Sequence, residues 1–341
     1  MAGLVLGGLA IWALSPRSMP GYLARQGVGQ LTLLQARVST DEVLARGALT
    51  APQEERLRQI ARIKAFGDRI GLNPIDNYEA VALGFDKKIW NVSACEPLAF
   101  RPRRWWFPVV GSVPYLGYFD ETAAREEAAR LEASGYEVYV RTAGAYSTLG
   151  WFRDPVLPAM LDWTEYRLAE TLLHELTHAT VWCPGQVQFN ESLAQFTGRE
   201  AALAYLADTY GPDSEPYVQA LVKRQDSATL NQALHGLYEE LDAVYKDKTL
   251  SPGARRFRKE ALYAGLPARL EALPLERPDK ARAWAEREPW NNARLAQFKV
   301  YNRGGDAFAA MFAEEGGDWG RFLARAEALC EADDPLGALG E

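Results

Sequence analysis

Hydrophobic positions recur at helical spacing near the start of the chain and through its second half, with strand-like stretches between. From Gly21 to about Leu72, Leu31, Leu33, Leu34, Val38, Val43 and Leu44 are read as one apolar face. Ser39 followed by Glu42 has the form of a capping box before a second helix. Pro52 can open a third, in which Leu57, Ile60, Ile63 and Phe66 keep helical spacing until Gly71 stops it.

The character changes at Tyr78. Val81 to Val92 and Trp105 to Tyr118 are rich in aromatic and β-branched residues broken by Gly and Pro, which predicts strands and turns. Glu121 to Ser134 is an amphipathic helix closed by Gly135, Glu137 to Arg141 a short strand, and Ala145 to Phe152 another. From about Thr164 onward the pattern is helical, with breaks near Pro184, Pro212, Pro252 and Pro274. The layout is α+β, helix-rich, with a small mixed or antiparallel sheet. Arg101 to Phe107 (RPRRWWF) reads as a strand with core aromatics and solvated arginines rather than as a nucleic-acid or lipid patch.

Composition narrows the chemistry. The 341 residues fit one large domain or two small ones, and 48% hydrophobic with 24% charged residues excludes wholesale disorder. A net charge of −7 excludes a generic nucleic-acid binder. The cysteines, Cys95, Cys183 and Cys330, form no CxxC pair, so a zinc ribbon is excluded and at most one bridge can form. Histidine is the sharpest limit, because only 3 are present.

Gly3 to Leu14 is an uncharged apolar run, shorter than the ~20 residues that cross a bilayer. It lacks the basic start and A-x-A site of a signal peptide, and no cysteine follows to carry lipid. Residues 1–20 are read as a membrane anchor or signal-like segment, with a buried terminal helix as the alternative. Residues 21–75 are a helical region that packs as one unit with a domain spanning 76–341.

That domain holds His174-Glu175-Leu176-Thr177-His178. On a helix, i and i+4 share a face, so both imidazoles can hold one Zn²⁺ while Glu175 reaches a water as general base. Leu168, Leu172, Leu173, Leu176 and Ala179 form the apolar stripe such a helix needs. Zinc in a hydrolase takes a third protein ligand and leaves one open position. His235 is the only other histidine, and positions 181 and 184 are Val and Pro, so an extended HExxHxxGxxH set is excluded. A carboxylate must complete the set. Glu191, at the opening turn of the next helix, comes level with His178 if the two helices fold back on each other. Glu170 and Glu200 are its competitors. His235, Tyr238 and Tyr301 are candidate donors to a developing oxyanion. Ala145 to Phe152 is a candidate edge strand for pairing with an extended substrate.

GYLARQGVGQLTLL, IWNV, WWFPVVGSVPYLGYFD, AYSTLGWFRDPVL, LLHELTHA, FNESLAQF and WNNARLAQFKVY together resemble a bacterial family of zinc aminopeptidases. The likeness runs in order from about Gly21 to Leu323. It implies a glutamate-ligand zincin with His174, His178 and Glu191 as metal ligands, Glu175 as base, and one Zn²⁺ per chain acting on peptides. Asn291, Asn292 and Tyr301 match a further family motif, in which Tyr301 is the implied oxyanion donor. The resemblance also implies a lipoprotein signal or membrane segment at the N-terminus and a place in the cell envelope, although the lipobox cysteine is missing here. A cytoplasmic protein, a zinc endopeptidase and a non-catalytic peptide-binding zincin are the alternatives.

Overall fold

The computed structural model describes residues 19–85, 88–107, 111–142, 153–300 and 305–339. Its first elements are α1 (Met19–Gln35), β1 (Arg37–Ser39), α2 (Thr40–Arg46) and α3 (Ala51–Arg69). Ser39 caps α2 by accepting the Glu42 N–H at 3.3 Å, as its spacing predicts. Gln53 accepts the Thr50 N–H at 3.2 Å at the head of α3, with Pro52 in the first turn. The chain then reverses through Gly71, whose φ of +91° suits a residue without Cβ.

Two details depart from the helical reading. β1 interrupts it and pairs antiparallel with β2 (Ala80–Ala82), Val38 opposite Val81. Leu31 is exposed while Leu33 and Val43 are buried. Residues two apart on a helix point about 200° from each other, so one face cannot hold both Leu31 and Leu33.

The strand-rich middle supplies β3 (Trp90–Cys95), β4 (Trp105–Phe107), β5 (Gly111–Val113), β6 (Leu116–Tyr118), α4 (Glu121–Ala133) and β7 (Glu137–Thr142). β3 lies between β6 and β7, antiparallel to both, and β4 pairs antiparallel with β5. Asp120 caps α4, whose Ala123, Ala124, Ala128 and Leu131 pack with Val92, Leu116 and Val138 of the three-stranded sheet. In the basic-aromatic segment Trp105 is buried and Trp106 exposed, the alternation expected of a strand. Arg103 is not simply solvated: its guanidinium lies 5.6 Å from the ring centres of both Trp105 and Tyr136.

After a 3₁₀ turn at Pro158–Asp162 come α5 (Glu165–Thr180), α6 (Val187–Tyr210), α7 (Glu215–Lys246), α8 (Pro252–Glu271) and α9 (Pro278–Glu286). α10 (Asn292–Val300), α11 (Gly305–Glu314), α12 (Trp319–Ala328) and α13 (Pro335–Ala338) complete the helices. The structure is 65% helical with small antiparallel sheets, an α+β fold.

The largest core joins α1 to α3, α5, α6, α11 and α12 through Leu33, Ile63, Leu172, Leu173, Phe189, Phe308 and Phe322. A second core joins α7 to α10 through Leu237, Leu241, Leu266, Leu270 and Trp290. Among the described residues no helix is long and apolar enough to cross a membrane. Gly3 to Leu14, Ala145 to Phe152 and Tyr301 lie outside the described residues.

Candidate metal centre

α5 begins where Thr164 accepts the Arg167 N–H at 3.3 Å. Its Leu168, Ala169, Leu172, Leu173 and Leu176 are buried, so the opposite face is free to carry His174 and His178. Two glycines bring other helices close to it. A Cβ at Gly67 of α3 would meet Leu176 Cδ1 at 2.8 Å, and one at Gly198 of α6 would meet the Glu170 carbonyl oxygen at 2.6 Å. α5 is therefore gripped between α3, whose backbone meets a side chain of α5, and α6, whose backbone meets the backbone of α5.

The connection from α5 to α6 is fixed by side chains. Cys183 N–H donates to Asn190 Oδ1 and Asn190 Nδ2 donates back to the Cys183 carbonyl, both at 2.9 Å. A disulfide joins Cys183 to Cys330, and Gln186 Nε2 donates to the Asp333 carbonyl at 2.9 Å. α6 starts at Val187, earlier than the apolar pattern from Leu193 suggests. Glu191 thus sits one turn inside the helix, next to Asn190.

This geometry brings His174, His178 and Glu191 together. The two imidazole Nε2 atoms are 3.1 Å apart. Glu191 Oε2 lies 3.6 Å from His174 Nε2, and Oε1 lies 3.6 Å from His178 Nε2. One donor atom from each residue lies within 4.8 Å of the others, the arrangement of a group that can hold a metal ion.

The electrostatics fit a cation. Burial, aided by His178 and Arg199, pushes the His174 pKa down to about 3, and burial pushes that of His178 down to about 4. Both rings are neutral at physiological pH and present lone pairs. Burial raises the Glu191 pKa, so its negative charge lacks sufficient compensation from the surrounding protein. The buried Nδ1 of His178 has no hydrogen-bond partner among the described residues, and it is Nε2 that faces His174 and Glu191. Ligands about 2.0–2.2 Å from one tetrahedral zinc stand about 3.3–3.6 Å apart, close to the spacings found here. The residues present fit a zinc ion.

Glu170 and Glu200, the competing acids, are engaged elsewhere: Glu170 pairs with Arg199 at 3.3 Å and Glu200 with Arg224 at 2.5 Å. His235 is exposed on α7 and faces Glu239 at 3.4 Å. Tyr238 stacks on Phe100 in the second core at 3.9 Å between ring centres.

Asn291 and Asn292 belong to a different structure from the histidines. Asn291 Nδ2 donates to the Val138 carbonyl, and Asn292 Nδ2 to the Glu96 and Pro97 carbonyls. Asn292 Oδ1 accepts both the Tyr245 and Tyr263 hydroxyls at 2.8 Å. The Asn292 N–H and Lys259 both bind Glu137 at the start of β7. Their role is to weld α10 to the three-stranded sheet.

Four residues near the centre escape sequence reasoning. Gly198 has a signal, since an interior helical glycine costs about 1 kcal/mol unless something packs against it. Asn190 has only its adjacency to Glu191, and Trp182 only its spacing from the histidines. Tyr78 has none. It is the sole described non-glycine with positive φ, at +67°, and its buried hydroxyl has no hydrogen-bond partner among the described residues. Burial and the Glu175 and Asp154 carboxylates hold its phenol proton well above its ordinary pKa, so it stays neutral beside the sequence-assigned base.

In this helix-rich α+β protein two neutral histidines and a half-buried glutamate converge into a group that could hold a metal ion. The chain belongs to the family described as "Putative aminopeptidase", whose model matches residues 21–335. No curated protein and no solved structure matches it significantly.

Proposed function

We propose that the protein is a zinc-dependent peptidase of zincin type, releasing residues from the amino end of peptides. The observation that carries this reading is the convergence of His174, His178 and Glu191, with Glu175 next to the first ligand on the same helix. When bound, zinc supplies a Lewis acid that acidifies a water and polarises the scissile carbonyl. His174 and His178 supply neutral nitrogens and Glu191 a negative charge. Glu175 takes a proton from the attacking water and delivers it to the departing amine. Tyr78 stays a neutral phenol near that carboxylate. Tyr301 keeps the role the resemblance implies, donor to the oxyanion.

Residues 21–75 act as one unit with the rest, since Leu33, Ile63 and Leu172 share a core. The Cys183–Cys330 bridge supports a place in an oxidising compartment such as the cell envelope, with residues 1–20 as the anchor.

The deciding experiment combines metal analysis with a panel of aminoacyl fluorogenic amides and longer internally quenched peptides, each with and without chelator. Near one equivalent of zinc and chelator-sensitive release from aminoacyl amides is the expected result. Cleavage confined to the longer peptides would make the protein an endopeptidase. Zinc binding without any hydrolysis would leave a peptide-binding zincin.

A further inference from the structure

Trp182 has no role in the chemistry above, yet it adjoins it. His174, His178 and Trp182 follow one another at intervals of four residues, although α5 ends at Thr180 and Val181 is already extended. The Trp182 indole meets the His178 imidazole edge to face, with ring centres 5.6 Å apart, and 44% of the residue is exposed. Single exposed hydrophobics are ordinary on a protein surface. Trp182 differs from the others because it touches a candidate ligand ring and sits on a connection held from three sides. Cys183, next in sequence, is bonded through both backbone polar atoms to Asn190 and through sulfur to Cys330, and Gln186 is tied to Asp333.

A large aromatic on a stapled loop loses little conformational freedom when it receives a ligand. Its distance from His178 is within reach of one residue's side chain, since successive residues of an extended peptide advance about 3.3–3.6 Å. Val187, the first residue of α6 at the far end of the same connection, is also an exposed apolar side chain. The connection therefore carries two exposed apolar side chains, of which Trp182 touches a candidate ligand and is rigidly mounted.

We propose that Trp182 is a specificity-determining residue: its exposed indole receives the side chain of the residue next to the scissile bond and favours aromatic or large aliphatic ones. This rests on the peptidase reading and adds the substrate class. An aromatic ring packed against an indole gains both buried area and ring–ring contact.

Binding of amino-acid hydroxamates to the zinc-loaded full chain tests it, because the chelating head engages the metal while the side chain samples its surroundings and no turnover is required. Phenylalanine hydroxamate is expected to bind the wild type at least about tenfold more tightly than alanine hydroxamate. Trp182→Ala should bring that ratio to within about twofold, and Trp182→Phe should retain most of it, with zinc content and Tm unchanged in both. The ratio of kcat/KM for phenylalanyl and alanyl amides should move in parallel. A preference that survives Trp182→Ala, or two hydroxamates that bind the wild type equally, overturns the inference and leaves the metal centre standing. Failure of the wild type to bind zinc overturns both.

Discussion

The α-carbon of Gly198 on α6 lies so close to Glu170 on α5 that a methyl group placed there would stand 2.6 Å from the Glu170 carbonyl oxygen and 3.1 Å from His174 Cβ. Gly198 lies seven residues after Glu191, on the same face of α6, so the helix approach that places the glutamate opposite His174 depends on a missing side chain. Gly198→Ala should cost about 1–3 kcal/mol in stability and weaken zinc binding. Urea unfolding and competitive metal titration measure the two effects. A normal zinc affinity would show that the glycine serves packing alone.

The metal group and the base should separate by mutation. His178→Ala and Glu191→Gln should lose stoichiometric zinc. Glu175→Gln should keep it while activity falls by about 10²–10⁴-fold. Elemental analysis beside peptide-release assays gives both readouts, and retained hydrolysis in Glu175→Gln would remove that residue as the base.

Acid should destabilise the metal-free protein through its histidines. With folded-state pKa values of about 3 and 4 for His174 and His178, the unfolded chain binds more protons below the ordinary histidine pKa of 6.5. Stability from these groups is therefore full above pH 6.5 and is lost progressively as pH falls through 4 toward 3. Glu191 acts in the opposite sense, because its raised pKa makes protonation relieve a buried charge. Tm against pH in the presence of chelator should fall through this window, and the slope should flatten in a His174→Asn/His178→Asn double variant.

Reducing the Cys183–Cys330 bridge should cost about 2–5 kcal/mol, since it closes a span of 147 residues. The metal centre should feel it too, because Asn190, the residue before Glu191, is hydrogen-bonded directly to Cys183. Paired melting and zinc titration of oxidised and reduced protein test this. An identical zinc affinity in the two forms would confine the bridge to global stability.

Asn292→Ala should be costly for a different reason. It strands the Tyr245 and Tyr263 hydroxyls without their acceptor and the Glu96 and Pro97 carbonyls without their donor. The expected loss is about 2–4 kcal/mol, with zinc affinity unchanged. A drop in zinc affinity in the folded variant would instead tie this network to the metal group.

What the sequence disclosed follows from how local the relevant physics is. The HELTH helix was legible because its stripe of leucines and its paired histidines obey one short period, and Ser39, Gly71 and Gly135 end or begin elements through local backbone preferences. Glu191 was reachable because a tight connection forces two helices level. Leu31 was misassigned because hydrophobicity alone does not say which turn of a helix faces the core. Gly198, Tyr78 and the Cys183–Cys330 pairing depend on contacts between segments far apart in sequence, which no local period encodes. Asn292 was visible as a motif, but its partners in β7, α7 and α8 show that it is structural glue.

The bridge between Cys183 and Cys330 also sets an order of events. During synthesis the HELTH helix and the Trp182 connection leave the ribosome long before their covalent partner exists. The loop beside the metal group can be locked only after 147 further residues have emerged and met an oxidant, so cysteine pairing doubles as a checkpoint on maturation.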